Sequence, residues 1–353
     1  MDTDENVPHE SRKKPVTLKT LAKILNLTPA TISKALRDSS DISPKTRTLV
    51  KAKAEELGYQ PNLMARSLIN RKSQLLGVVI PDLRISFFSE LTRGIYEQAR
   101  LSGYEAIILV HDENWETEKR NLEFLSALGV DGILIDAVPG PNNNLLLKRI
   151  HDRGIPIVCY DRIVDGMNFD AITIDDEGAA FSLVEHMYNE GCRDIVFLGP
   201  TRDLSVARGR FRGYQKALDK LSLEYRTEYV IECKIDKTDS HKRMTKFLSN
   251  GYHVDAVISI GGLVAYGAGV AIMEKGLSIP DDICLAEFGN NTIVHTLGVP
   301  FVTVNQFPYE MGQQAVQIIA TLIENKEKKR PKVHNYIKTE LVVHHREKGK
   351  IHL

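Results

Sequence analysis

The sequence predicts a mixed α/β protein in two parts. A small all-α head precedes a larger body of two lobes, each a parallel sheet covered by helices. Three observations carry this. Within residues 16–58, apolar residues recur at helical spacing in three short segments, each opened by a hydroxyl residue. From Leu75 onward, continuous apolar runs alternate with amphipathic helical patterns, which is how strands covered on both faces read. About ten such runs are too many for one core, so two similar lobes are expected. The length, 353 residues, suits two or three domains, and 42% hydrophobic with 26% charged residues is ordinary globular material.

Residues 1–15 read as a disordered arm, acidic and then basic at Arg12, Lys13 and Lys14, without the apolar core of a signal peptide. The basic triplet is either a solvated tail or a phosphate contact. The first helix is capped by Thr17 and gathers Leu18, Leu21, Ala22 and Leu25 on one face. The second starts at Thr28, with Pro29 at the first helical position, where a missing N–H costs nothing. Ile32, Ala35 and Leu36 turn inward, leaving Pro29, Ala30, Ser33 and Lys34 outward. The third repeats the start signal at Ser43 and Pro44, buries Val50, Ala54 and Leu57, and stops at Gly58.

Helical periodicity alone leaves a plain three-helix bundle open. Charge argues for more. Residues 1–74 hold 14 Lys and Arg against 8 Asp and Glu, so the rest of a chain with 46 of each holds 32 against 38. A basic head and an acidic body suit a protein that meets phosphate at one end. The outward face of the second helix carries small side chains that let its backbone approach base edges, with Lys34 in reach of a guanine or a phosphate.

The order and spacing of Val16-Thr17-Leu18-Lys19, Thr28-Pro29-Ala30-Thr31-Ile32-Ser33-Lys34-Ala35-Leu36, Ser43-Pro44-Lys45-Thr46-Arg47 and Glu55-Glu56-Leu57-Gly58-Tyr59-Gln60-Pro61-Asn62 resemble the head of the lactose-repressor/galactose-repressor (LacI/GalR) family of bacterial transcription regulators. The resemblance runs to about Arg346. It implies a helix-turn-helix domain at 16–60 that reads bases with Pro29, Ala30 and Lys34. Thr17, Thr28, Thr31, Ser33, Ser43, Thr46 and Asn62 would hold phosphates or fix the helices on them. Lys34 stands where the family commonly has Arg, which loses the bidentate fork. Residues 61–73 would be a hinge segment and linker, with Leu68 as an apolar wedge in the minor groove and Ala65 packed against it. About eight residues are too few for a lone helix in water, so a plain linker is the alternative.

In the body, strand-like runs fall at 75–81, 105–110, 132–136, 155–160, 171–174, 194–198, 229–232, 256–260, 283–288 and 301–304, with helical patterns at 90–102, 116–128, 179–190, 212–221, 240–251 and 267–276. The family resemblance implies a periplasmic-binding-protein-like pair of lobes at 74–353. Their three crossings would lie near Ala171, Val302 and Lys332, with lobe one at about 75–170 and 303–331 and lobe two at about 171–302 and 332–346. A small sugar-like effector would sit between them, at the C-terminal strand ends. Phe87 and Phe88 follow the first strand as a core pair or, by the resemblance, a stacking surface. Asp161 and Arg162 end a strand as a surface ion pair or a ligand contact. Arg210 matches the family's ligand-binding arginine, and Asp175, Asp176 and Gln306 match the cleft rim or hinge. Gly261-Gly262 and Gly289 stand where many relatives carry sugar-holding polar groups, and Asn290 or Asn291 would replace one of them. With two arginines present and an acid gone, an anionic or phosphorylated sugar is one expectation.

Other classes fit less well. Gly267-Ala268-Gly269-Val270-Ala271-Ile272 starts like a dinucleotide loop but has Ile272 at the third glycine position. No lysine-bearing phosphate loop or GxSxG turn occurs, so neither an enzyme nor a cofactor is expected. Cys159, Cys192, Cys233 and Cys284 lack metal or redox spacing and read as buried free thiols in a reducing cytoplasm. No apolar run of about 18 residues spans a membrane. A transport binding protein would use the same lobes, but not the basic head. The charged C-terminus, 340–353, shows no heptads, so a homodimer is expected on a pseudo-palindromic operator.

Overall fold

The computed structural model describes residues 16–60, 72–140, 143–289, 292–325 and 330–345, in two compact units divided between Ser73 and Gln74. Asn62, Ala65, Leu68, Asn290 and Asn291 lie outside the described residues, as does the basic triplet at 12–14.

The head contains α1 (Leu18–Leu25), α2 (Pro29–Leu36) and α3 (Pro44–Glu56), beginning where the caps predict. Leu21, Ala22, Ile32, Ala35, Val50 and Ala54 form its buried core. Gly58 closes α3 in the left-handed region, and the Tyr59 N–H returns to the Ala54 carbonyl.

The body has twelve described strands: β1 (Leu75–Ile80), β2 (Glu105–Val110), β3 (Gly132–Ile135), β4 (Ile157–Tyr160), β5 (Asp170–Ile174), β6 (Ile195–Leu198), β7 (Val230–Ile231), β8 (Ala256–Ser259), β9 (Cys284–Phe288), β10 (Phe301–Asn305), β11 (His334–Ile337) and β12 (Glu340–His344). They make two six-stranded sheets, ordered β11-β5-β4-β3-β1-β2 and β12-β10-β9-β8-β6-β7. Five strands of each run in the same topological order, and the two C-terminal strands add one edge to each. Pairings are parallel except β10 with β12, so one sheet is not purely parallel as expected.

Helices α4 (Ser86–Leu101), α5 (Trp115–Leu128), α6 (Asn143–Asp152) and α12 (Pro308–Glu324) belong with the first sheet. Helices α7 (Asp176–Asn189), α8 (Ser205–Lys220), α9 (Lys237–Ser249), α10 (Gly262–Glu274) and the one-turn α11 (Thr292–His295) belong with the second. An apolar core passes from Leu91, Ile95, Met311 and Ile319 in lobe one to Leu183, Phe197 and Tyr214 in lobe two.

The three crossings follow Ile174, Asn305 and Ile337, a few residues later than Ala171, Val302 and Lys332. Two of the breaks, at Ala171 and Val302, were expected within apolar runs, whereas each run completes a strand in the lobe it comes from. Strand β5 therefore belongs to lobe one and β10 to lobe two. The strands β11 and β12 and the helices α6 and α12 were not among the predicted elements.

Candidate functional site

In the head, one device recurs three times. Thr17 accepts the Thr20 N–H at 3.2 Å, Thr28 the Thr31 N–H at 3.1 Å and Ser43 the Thr46 N–H at 3.2 Å. In each pair the two hydroxyls also bond to each other. None of the three helices has an acid in its first turn, so their positive ends are left uncompensated. Three such N-termini in one small domain suit phosphate. The predicted base readers Pro29, Ala30 and Lys34 are all exposed, while Thr31 and Ser33, expected on the phosphate backbone, are half-buried. The Lys34 ammonium meets the Asp41 carboxylate, which also accepts from Ser39 at 2.6 Å. Lys34 and then Ser39 hold Asp41 below the ordinary carboxylate range. Sequence reasoning missed Asp41: nothing in its spacing ties it to a lysine seven positions earlier.

In the body, Arg210 leaves α8 at the C-terminal end of the second sheet and is 5% exposed. Its Nε donates to Asp176 at 2.8 Å, one terminal nitrogen to the Ile260 carbonyl at 2.6 Å, and the other to Gln306 Oε1 at 3.2 Å. The guanidinium lies 4.2 Å from the centre of the Phe288 ring. Asp176 follows the first crossing and Gln306 the second, so one side chain gathers both. The glycines Gly261 and Gly289 directly follow the Ile260 and Phe288 that hold it. Burial raises the Asp176 carboxyl to about 7, against the pull of Arg210. Asp161, at the end of β4 with φ of 55°, is raised by burial too, with Arg210 and then Arg162 opposing. The predicted Asp161, Asp176, Arg210 and Gln306 therefore share one electrostatic cluster.

Arg162 adjoins this cluster through its charge on Asp161, but its own bonds go elsewhere. Its guanidinium makes two bonds of 2.9 and 2.7 Å to Glu113 and lies 3.3 Å from the fully buried Asp136. Burial opposes ionisation of Glu113, yet Arg162 holds its carboxylate below the ordinary range. Both predicted arginines are paired with carboxylates. Phe87 and Phe88 meet edge to face at 5.0 Å and are both buried in the core. Phe87 also lines a cavity of about 240 Å³ with Gly289, Asn305 and Phe307, between the lobes, and Phe88 does not. Asp175 caps α7 and joins Asp161 and Asp176 on a second cavity of about 290 Å³.

Residues 17–62 match the family of bacterial regulatory proteins named for lacI, and residues 73–341 match the periplasmic binding proteins and sugar-binding domain of the same family. The chain belongs to the LacI family. Relatives include catabolite control protein A of Priestia megaterium, 28% identical over 88% of this chain and 93% of the relative. The ribose operon repressor of Halalkalibacterium halodurans is 28% identical over 94% of this chain and 97% of its own. Among solved structures, the Lac repressor dimer bound to operator and the anti-inducer ONPF superposes with a TM-score of 0.81 at 24% identity, covering 93% and 98% of the two chains. This LacI-family chain is thus a DNA-binding transcription regulator with an effector domain. No described helix is long and apolar enough to cross a membrane.

Proposed function

We propose that this regulator is a homodimeric repressor of carbohydrate-metabolism genes, acting in the cytoplasm on a pseudo-palindromic operator. A neutral, hydroxyl-rich effector binds between the lobes and releases it. Pro29, Ala30 and Lys34 read bases, while Thr17, Thr28, Thr31, Ser33, Ser43 and Thr46 position the helices on the backbone. Asn62, Ala65 and Leu68 complete the grip by the family pattern.

The observation that carries the effector half is the Arg210 network. Arg210 is bonded at once to a group after each of two crossings and to the end of the second sheet. A ligand that accepts from Arg210 or donates to Asp176 must redistribute those bonds, and the crossings with them. That gives a differential interaction between two lobe arrangements, which is what coupling requires. The surplus of carboxylates over guanidiniums favours hydroxyl donors over anions: Asp161 and Asp176 accept, and Gln306 does both.

Calorimetric titration with matched neutral and acidic sugars tests this. Micromolar binding of a neutral sugar and none of its acidic form is expected. Tight binding of the phosphorylated or carboxylated form alone overturns the assignment.

A further inference from the structure

Cys192 and Cys284 are 92 positions apart in sequence, and the fold brings them together. Cys192 lies on the turn between α7 and β6, and Cys284 opens β9. Strand β8 separates β6 from β9 in the sheet. The turn folds beneath the start of β8, so that the Cys192 thiol donates to the Asp255 carbonyl at 3.7 Å while the Cys284 N–H donates to the same oxygen at 2.8 Å. Both residues thus bond to one backbone oxygen, and each thiol shifts the ionisation of the other.

Their exposure differs in a useful way. Cys192 is buried, whereas Cys284 is partly exposed on the wall of a cavity of about 340 Å³ shared with His186, Pro280, Phe301 and His344. A small oxidant that enters this cavity meets Cys284, while Cys192 does not line it and bonds with Cys284 to the same carbonyl. That is the arrangement of an attacking thiol and a resolving thiol. Hydrogen bonding from Cys192 favours the Cys284 thiolate, against burial and the carboxylates of Glu190, Asp255 and Asp281.

We propose that Cys192 and Cys284 are a modification site: a dithiol that a hydroperoxide oxidises to an intramolecular disulfide, joining the α7–β6 turn to β9 at the end of lobe two away from the Arg210 cluster. The Cys284 thiolate attacks one peroxide oxygen, the O–O bond breaks, and sulfenic acid forms with release of water. The Cys192 sulfur attacks the sulfenic sulfur and expels a second water. Two thiols and one hydrogen peroxide become one disulfide and two waters, so atoms and electrons balance.

The test uses the full-length protein exposed to hydrogen peroxide. The intact mass should fall by two hydrogens, and non-reducing peptide mapping should show the peptide containing position 192 joined to that containing 284. A Cys159→Ser, Cys233→Ser double variant should form the same link. Cys192→Ser, or Cys192→Ala if the serine variant does not fold, should leave a Cys284 sulfenic acid that dimedone traps. Under native conditions Cys284 should alkylate roughly tenfold faster than Cys159, whose fully buried thiol is pushed up to about 12. A wild-type protein that loses thiols without a 192–284 peptide, or one in which Cys159 reacts as fast as Cys284, overturns the proposal.

Discussion

Lys34 and Asp41 act as a pair on the outward side of the head, each about half exposed. A surface ion pair of this kind contributes little to stability, so the test falls on the base contact proposed for Lys34. Lys34→Ala should weaken operator binding about tenfold or more and relax base preference. Asp41→Ala removes an anion beside phosphate and should strengthen binding to every duplex, operator or not. Fluorescence anisotropy over a salt series separates the two, because only Asp41→Ala should steepen the salt dependence.

Glu118 offers a second test at this scale. It is fully buried, accepts from the Val138 N–H and from Asn143, and burial raises it to about 7. The folded state therefore holds a proton that the unfolded state releases above the ordinary value of 4.5. Its stability contribution is complete below that value and is lost as pH rises to about 7, by a few kcal/mol at most. Glu118→Gln removes the titrating proton and keeps an oxygen to accept the Val138 N–H. Denaturant unfolding at pH 5 and pH 8 should then show a smaller loss toward pH 8 in the variant than in the parent. Equal slopes contradict this account. Lys34 and Arg210 were legible in the sequence because a motif surrounds each. Their partners were not, nor was the Glu113–Arg162 pair, since those contacts join positions brought together only by the sheet order.

At the scale of elements, α4 and α12 cross where both are reduced to glycine. A Cβ at Gly94 would stand 2.1 Å from the Tyr309 carbonyl oxygen, and one at Gly312 would stand 2.2 Å from that of Leu91. Backbone cannot yield as a side chain tip can, so Gly94→Ala should cost about 1–3 kcal/mol in thermal or denaturant unfolding. The central strands were readable because both faces are covered and their runs are apolar throughout. The edge strands β11 and β12 were not, since half-exposed edges with His334, Tyr336 and Glu340 carry no such run. The helix α12 was overlooked although its buried Met311, Ala315, Val316, Ile319 and Ile323 repeat at helical spacing. For the hinge segment, the family pattern predicts that Leu68→Ser weakens operator binding and leaves effector affinity intact. Equal loss of both would contradict that division of labour.

The whole molecule joins a basic head to an acidic body, and its function depends on the two communicating. Family and fold class were legible, because helix caps, sheet alternation and the head motif each point the same way. The carboxylates that close on Arg162 and Arg210 were not, since only the fold brings them together. The most direct measurement follows a labelled duplex, selected from genomic fragments, as it is titrated with the full-length protein at several salt concentrations, with and without neutral sugars. A discrete complex should outlast nonspecific binding as salt rises, and one neutral sugar should shift its affinity by roughly tenfold or more, while Arg210→Ala binds the duplex and ignores the sugar. A protein that holds no duplex at modest ionic strength, with or without ligand, contradicts the account.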